Sequence, residues 1–357
     1  MQSKYGNFNE EGNEYIINRF DTPLPWVNYL TNGDYCAVVS STGGGFSFYK
    51  THHANMILRR EQRCLVNDMP GRYVYVRDND SGVFWTINVM PVRKEHTKFK
   101  AGHGLGYSFI ESTTNEVSGR ILFFVPMGFD GEIARVSVKN ESIGKRSLSI
   151  FFYEEIMLGN FYFNEHERSI TSMFQEIKGT TSKISAKYKI WSTGRDHGDT
   201  FKSENVWPYT VCVSTTNEAT GYETSQERFT GIHRDLYDPL AMEQKNLGCL
   251  DNDGRYGACA FQWDIELNSG EKFSTDIITR IFENQTFEKG LFNILNSTEI
   301  DNLLEKTKKF WIKYTEDIVI NTPDEDINRN FNVWNKYQLF MNFSFGRGPS
   351  YYHLEQS

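Results

Sequence analysis

The run Ile133-Ala134-Arg135-Val136-Ser137-Val138 alternates: Ala134, Val136 and Val138 fall on one side of an extended chain, and Ile133, Arg135 and Ser137 on the other. Successive side chains of a strand point to opposite faces, so this pattern predicts a strand with one wet face. The stretches around it read the same way. Tyr73-Val74-Tyr75-Val76, Arg120 to Val125 and Ser147 to Tyr153 are short and rich in β-branched and aromatic residues. Turn chemistry separates them, at Asp78-Asn79-Asp80-Ser81-Gly82, Phe129-Asp130-Gly131 and Asn268-Ser269-Gly270. From Tyr5 to about Phe282 no alternation of helix and strand is expected. A mainly β fold follows, a two-sheet antiparallel sandwich of unusual size, because the faces and edges must be buried without helices.

Composition agrees with such a core. Of 357 residues, 39% are hydrophobic and 15% aromatic, and flat rings pack well across strands. The formal net charge of −8 gives no bulk attraction for nucleic acid or an anionic membrane, so neither partner is expected. No run of about 18 apolar residues occurs, and the opening Met-Gln-Ser-Lys-Tyr-Gly lacks a secretory pattern. Cys36, Cys64, Cys212, Cys249 and Cys259 are odd in number and lack two-residue spacing, which points to reduced thiols in a cytoplasmic protein. The histidines are scattered, and adjacent His52 and His53 are expected to point apart, so no metal site is expected.

The pattern changes near the end of the sequence. Residues Phe287 to Leu295 suit a short helix, and Glu299 to Thr315 carries Ile300, Leu304, Trp311 and Tyr314 at helical spacing. Ser297-Thr298 offers a hydroxyl cap for it, with Glu299 and Asp301 in the first turn. In Thr322-Pro323-Asp324-Glu325-Asp326, Thr322 is the expected cap and Pro323 the first helical residue of a helix running through Trp334 and Tyr337 towards Met341. Phe331, Trp334, Tyr337, Leu339, Phe340, Met341, Phe343 and Phe345 supply more apolar surface than a lone helix can cover. Either they pack back on the sandwich or they belong to a further domain.

Several segments, taken in order, resemble the amino-terminal part of the cellobiose phosphorylase family of inverting glycoside phosphorylases. They are Lys4-Tyr5-Gly6, Glu14-Tyr15-Ile16-Ile17, Asp21 to Leu30, Ser41-Thr42-Gly43-Gly44-Gly45-Phe46-Ser47-Phe48-Tyr49 and Pro70 to Asp78. Phe124-Val125-Pro126, the Phe229 to Leu240 stretch and Asn332-Val333-Trp334-Asn335-Lys336-Tyr337-Gln338 continue the match. The resemblance implies a β-supersandwich over 1–283, a helical linker over 284–322 and, over 323–357, the first helix of an incomplete (α/α)6 barrel. It also implies cytoplasmic, commonly dimeric enzymes that cleave β-linked disaccharides with inorganic phosphate as co-substrate and no other cofactor. Their general acid sits in the barrel; phosphate is itself the nucleophile, so the second carboxylate of an inverting hydrolase is not needed.

On that resemblance no catalytic residue is expected in this chain. Arg347 matches a family arginine at the active-site mouth, where a planar fork of donors suits sugar hydroxyls or phosphate oxygens, and Tyr351 and Tyr352 border it with His353. Gly43-Gly44-Gly45 lacks the Lys and Ser or Thr of a nucleotide loop and reads as a tight connection with close backbone approach. Glu154 and Glu155, adjacent on a strand, face opposite ways and make a poor acid–base pair. Asp235 and Asp238 belong to a turn before Pro239. The expected role is therefore the sandwich portion or subunit of a glycoside phosphorylase, inactive alone and shaping a site borne by a barrel-bearing chain, or reached through self-association. The alternatives are a truncated, catalytically silent fragment of such an enzyme and a stand-alone sugar-binding or scaffold protein. Calorimetry with disaccharides separates the last two.

Overall fold

The structure, a computed structural model, describes residues 3–61, 64–188, 207–283 and 295–345. Its strands form two antiparallel sheets. The larger has eleven strands among the described residues, running from Gly6–Phe8 through Glu14–Ile17, Lys98–Gly104, Tyr107–Thr114, Val117–Phe124, Gly131–Asn140, Lys272–Glu283, Tyr209–Thr215, Lys183–Tyr188 and Gln175–Gly179 to Asn252–Asp253. The smaller has nine and is organised by the strand Arg146–Gly159. Gly257–Leu267 pairs along one edge of that strand, Arg72–Asp78 along the other, and past Glu154 that second edge passes to Met56–Leu58. Ser47–Tyr49, Tyr35–Ser40 and Val27–Thr31 extend the sheet from there.

The alternation around Val136 is realised. Ala134, Val136 and Val138 join one core between the sheets with Val74, Val76, Leu148, Ile150 and Phe152 of the smaller sheet. Burying each such side chain contributes about 1.5–3 kcal/mol. The other side of the strand is only partly wet: Ile133 lies under a helix with Leu122, Phe124, Ile300 and Leu304. Tyr73 and Tyr75, on the outer face of the smaller sheet, are also buried, because Phe229, Leu236, Met242 and Leu247 cover them. Thus Tyr73 to Val76 reads as a continuous apolar run since both of its faces are packed. Short helices interrupt the strands, at Phe161–His166, Arg168–Ser172 and Gln226–Thr230.

The triple glycine is a tight contact between two quoted segments. Gly44 bridges Gly71, and the Arg72 amide donates to the Gly43 carbonyl at 2.9 Å. Gly43 and Gly45 have φ of +91° and +143°, and a Cβ on Gly45 would stand 1.9 Å from the Val38 carbonyl oxygen. Only glycine satisfies both demands there.

Arg72 also spans the two sheets. Its guanidinium pairs with Glu132 of the larger sheet at 2.6 Å and reaches the Val38 carbonyl at 3.2 Å. Tyr35 donates to Glu132 at 3.0 Å, and Thr279 donates to Glu154 at 3.0 Å. Burial, with the Glu132 charge nearby, pushes the Glu154 carboxyl up to about 8, so it stays protonated at neutral pH.

The helical region corrects two expected caps. The helix Ser297–Glu316 is capped by Asn296, whose side chain accepts from the Glu299 amide while Glu299 returns a bond to the Asn296 amide. A capping box one residue earlier satisfies two free amides at once, which Ser297 or Thr298 would not. The next helix, Glu325–Arg329, is capped by Asp324, not Thr322. Asp324 accepts from Asp326 and Ile327, while the Thr322 hydroxyl is taken by Asn328 and the Asp324 amide. A π-helical turn over Asn330–Trp334 then leads into Asn335–Phe345.

These helices fold back on the larger sheet and its rim. Ile300, Leu304, Thr307 and Trp311 are buried, whereas Tyr314 is only partly covered. The Tyr337 hydroxyl donates to the Tyr29 carbonyl at 2.7 Å and accepts from the Gly106 amide at 3.2 Å. Trp334 donates to the Gly12 carbonyl at 2.8 Å. The helix expected over Phe287 to Leu295 lies almost wholly outside the described residues.

Candidate functional site

Arg59 leaves the short strand Met56–Leu58 beside Glu155, which lies near the end of the long strand Arg146–Gly159. The chain then turns through Phe161–His166 and Arg168–Ser172, so Asn164 and Arg168 come to face the same space. Gln175, Tyr256 and Gly257 complete its lining. The result is a polar cavity of ≈ 450 Å³.

Its charges are internally matched. Glu155 receives the Arg59 guanidinium at 2.6 Å and Arg168 at 3.4 Å, with Gln226 at 3.1 Å and the Tyr153 hydroxyl at 3.2 Å. Burial alone pushes this carboxyl up, but the two guanidiniums override it and hold Glu155 below the usual carboxylate range. Arg59 also pairs with Glu61. Arg168 lies 4.0 Å from the Tyr256 ring centroid and donates to Gln226 at 2.7 Å. Gln175 is buried, and its Oε1 has no hydrogen-bond partner among the described residues. Gly257 leaves room for that oxygen, since a Cβ there would stand 3.1 Å away.

Such a pocket suits a neutral polyhydroxylated ligand: rigid guanidinium donors, amides and one aromatic edge, with little net charge. It does not suit proton transfer. Glu155 is held ionised by two cations, and Glu154, the neighbour that keeps its proton, points into the inter-sheet core. The expected opposition of Glu154 and Glu155 is therefore what the structure has. Asp235 caps its own turn by accepting from the Tyr237 amide, and Asp238 pairs with Arg234 at 2.8 Å.

Arg347, Tyr351 and Tyr352 lie outside the described residues, as does His353. Sequence reasoning missed Arg59, Arg168 and Gln175, which belong to no local motif. The two histidine rings also differ from expectation. His52 and His53 sit in a turn rather than on a strand, and their rings touch, with centroids 4.2 Å apart. Among the described residues no group of three His, Cys, Asp or Glu side chains is arranged to hold a metal. Cys36, Cys212 and Cys259 are buried free thiols, and Cys249 is an exposed one. No described helix is long and apolar enough to cross a membrane.

The described residues thus form a large two-sheet antiparallel sandwich with a polar pocket and with helices packed on the larger sheet. The profile of the glycosyl hydrolase 94 supersandwich domain matches residues 13–306, and the chain belongs to that family. It is 29% identical over 342 residues to an N,N'-diacetylchitobiose phosphorylase of Vibrio proteolyticus, covering 94% of this chain and 40% of that protein. It is 27% identical over 348 residues to a 3-O-beta-D-glucopyranosyl-beta-D-glucuronide phosphorylase of Paenibacillus borealis, covering 97% of this chain and 42% of that protein. The chain thus spans about two-fifths of the length of these two relatives. A bacterial glucoamylase complexed with acarbose shares the fold, with a TM-score of 0.52 at 13% identity over 89% of this chain and 43% of that one. The resemblance to the cellobiose phosphorylase family holds over nearly the whole chain.

Proposed function

We propose that this chain is the amino-terminal sandwich portion of a glycoside phosphorylase acting on β-linked glucosyl disaccharides. It is inactive alone and shapes an active site borne by an (α/α)6 barrel, with inorganic phosphate as co-substrate. In this reading 1–283 is the sandwich, 284–322 the linker and 323–357 the start of the barrel, and the setting is cytoplasmic. The observation that carries it is the alignment of phosphorylases with 94–97% of this chain over only two-fifths of their own length.

Two features of the structure support the reading. Ile318, Val319, Ile327, Phe331, Leu339 and Phe343 are exposed on the helical region, Phe343 at 91%. Apolar surface of that extent suits further helices. Phe345, at the end of the described helix, packs on Phe48 at 5.5 Å, in the cluster that also holds Met157. Met157 also lines the Arg168 pocket, so the last described helix packs on the same cluster as that pocket's wall. We assign the pocket to a sugar unit of the substrate, with Arg168 and Arg59 as donors to its hydroxyls.

The test is co-expression with a barrel-bearing polypeptide of the same enzyme, followed by assay of sugar 1-phosphate release from β-linked disaccharides. The expected result is turnover only when both are present. Phe343→Asp should weaken association by placing a charge on the exposed apolar face of the helices, and Arg168→Ala should raise KM more than it lowers kcat. Phosphorolysis by the purified chain alone, well above a heat-killed control, would overturn the proposal.

A further inference from the structure

The outer face of the larger sheet is divided in two. One half lies beneath the helix Ser297–Glu316, where Phe109, Leu122, Ile133 and Ile278 meet Ile300 and Leu304. Arg135 marks the border, pairing with Asp276 at 2.6 Å and with Asp301 of the helix at 2.5 Å. Beyond it the face is open. Directly opposed residues of neighbouring strands share a face, so the pairing register shows what is there. One row reads Lys98, Thr113, Ser118, Lys139, Lys272, and the next Lys100, Glu111, Arg120, Ser137, Ser274.

These two rows border a concavity of ≈ 530 Å³ lined by five cationic side chains and the one carboxylate of Glu111. That is the reverse of the whole chain, whose formal charge is −8. Arg120 is engaged with Glu111 and with the Phe109 ring, and Lys139 with Glu141 at 2.8 Å. Lys98 and Lys272 have no ion pair among the described residues. Lys139 and Lys272 stand directly opposite each other, an arrangement that like charges disfavour. An anion between them would reverse that penalty.

We propose that this concavity binds a phosphorylated sugar, with its phosphate dianion held by Lys139, Lys272 and Lys98 and its hydroxyls against Thr113, Ser118 and Ser137. Directly opposed lysines have Cβ atoms about 5 Å apart, so their long stems can bring both ammonium groups to one compact dianion. Between them and Lys98, Thr113 and Ser118 offer hydroxyl oxygens to a polyol, the Ser118 hydroxyl itself donating to Glu141 at 2.7 Å. Glu111 on Arg120, and Glu141, which holds Lys139 at 2.8 Å and accepts from the Ser118 hydroxyl at 2.7 Å, leave room for one compact anion and repel a longer polyanion. The site shares no lining residue with the Arg168 pocket, and the proposal stands whether or not the phosphorylase reading does.

The experiment is calorimetry on the full chain with glucose 1-phosphate, glucose 6-phosphate, inorganic phosphate and glucose, at low and moderate salt. Saturable binding of a hexose phosphate is expected, tighter than that of inorganic phosphate or glucose and weakened by salt. Lys98→Glu and Lys272→Glu should each weaken it by about tenfold or more. Lys272→Met, which keeps the stem and removes only the charge, should weaken it less, and thermal unfolding checks that each variant is folded. Three results would overturn the proposal: no saturable binding of either hexose phosphate, binding unchanged in the charge-reversed variants, or inorganic phosphate binding as tightly as the sugar phosphates.

Discussion

The space between the two sheets and the surface of the helical region differ in how completely they satisfy themselves. Between the sheets, apolar side chains from both layers interlock, and the few charges are paired: Arg72 with Glu132 across the gap, and Glu154 kept neutral beside Thr279. The helical region buries one face against the larger sheet through Ile300, Leu304, Trp311, Tyr337 and Met341. Its other face leaves Ile318, Leu339 and Phe343 in solvent. Both regions are rich in aromatic residues, so composition does not distinguish them. What distinguishes them is whether a second layer stands opposite. The sandwich supplies its own second layer, and the helices use the sandwich as theirs on one side only.

The largest effect expected from breaking this contrast is at Arg72. Arg72→Met strands Glu132 in the core and should cost about 3–5 kcal/mol in denaturant unfolding. Adding Glu132→Gln should recover part of that loss. A cost under about 1 kcal/mol would mean that the inter-sheet pair does not organise the core as argued.

Next is the pH dependence contributed by Glu154. Its folded-state pKa, about 8, lies above the unfolded value, so the folded protein retains a proton that the unfolded chain releases. Stability therefore falls as pH rises from the ordinary glutamate range towards 8, by up to about 1.4 kcal/mol per pH unit within that window. Glu154→Gln should remove this slope when melting is compared between pH 5 and 8. His103 acts in the opposite direction. Burial pushes it down to about 4, so its contribution is present above the ordinary histidine range and is lost as pH falls from there through 4.

Tyr337→Phe probes the seam between the two regions. It removes the hydroxyl that joins the Tyr29 carbonyl and the Gly106 amide, and should cost about 1–3 kcal/mol. Hydrogen exchange should show faster opening over 335–345 while the central strands stay protected. The smallest effect is expected at the outer face of the helices. Leu339→Asp should change the unfolding of this chain by less than about 0.5 kcal/mol. The same change should clearly reduce copurification with a barrel-bearing polypeptide, and equal recovery of wild type and variant would blunt the contrast.

Alternation around Val136, turn chemistry such as Asp78 to Gly82 and the 3.6-residue spacing of Ile300, Leu304 and Trp311 were enough for a mainly β chain with a helical end, because each is a local periodicity. The close approach at Gly43 to Gly45 was also legible, since glycine itself signals backbone contact. The caps were misplaced by one or two residues because Asn296, Thr322 and Asp324 all offer suitable acceptors, and only the completed turn selects among them. The Arg168 pocket had no sequence signal. Arg59 and Glu155 are 96 residues apart, and Arg72 and Glu132 are 60 apart. No local period links such pairs; long-range strand pairing brings Arg59 to Glu155, and the packing of the two sheets brings Arg72 to Glu132. Local rules of strand and helix were written in the sequence, whereas the matching of buried charge to charge was decided by the tertiary structure, because a charge can leave water only where folding supplies its partner.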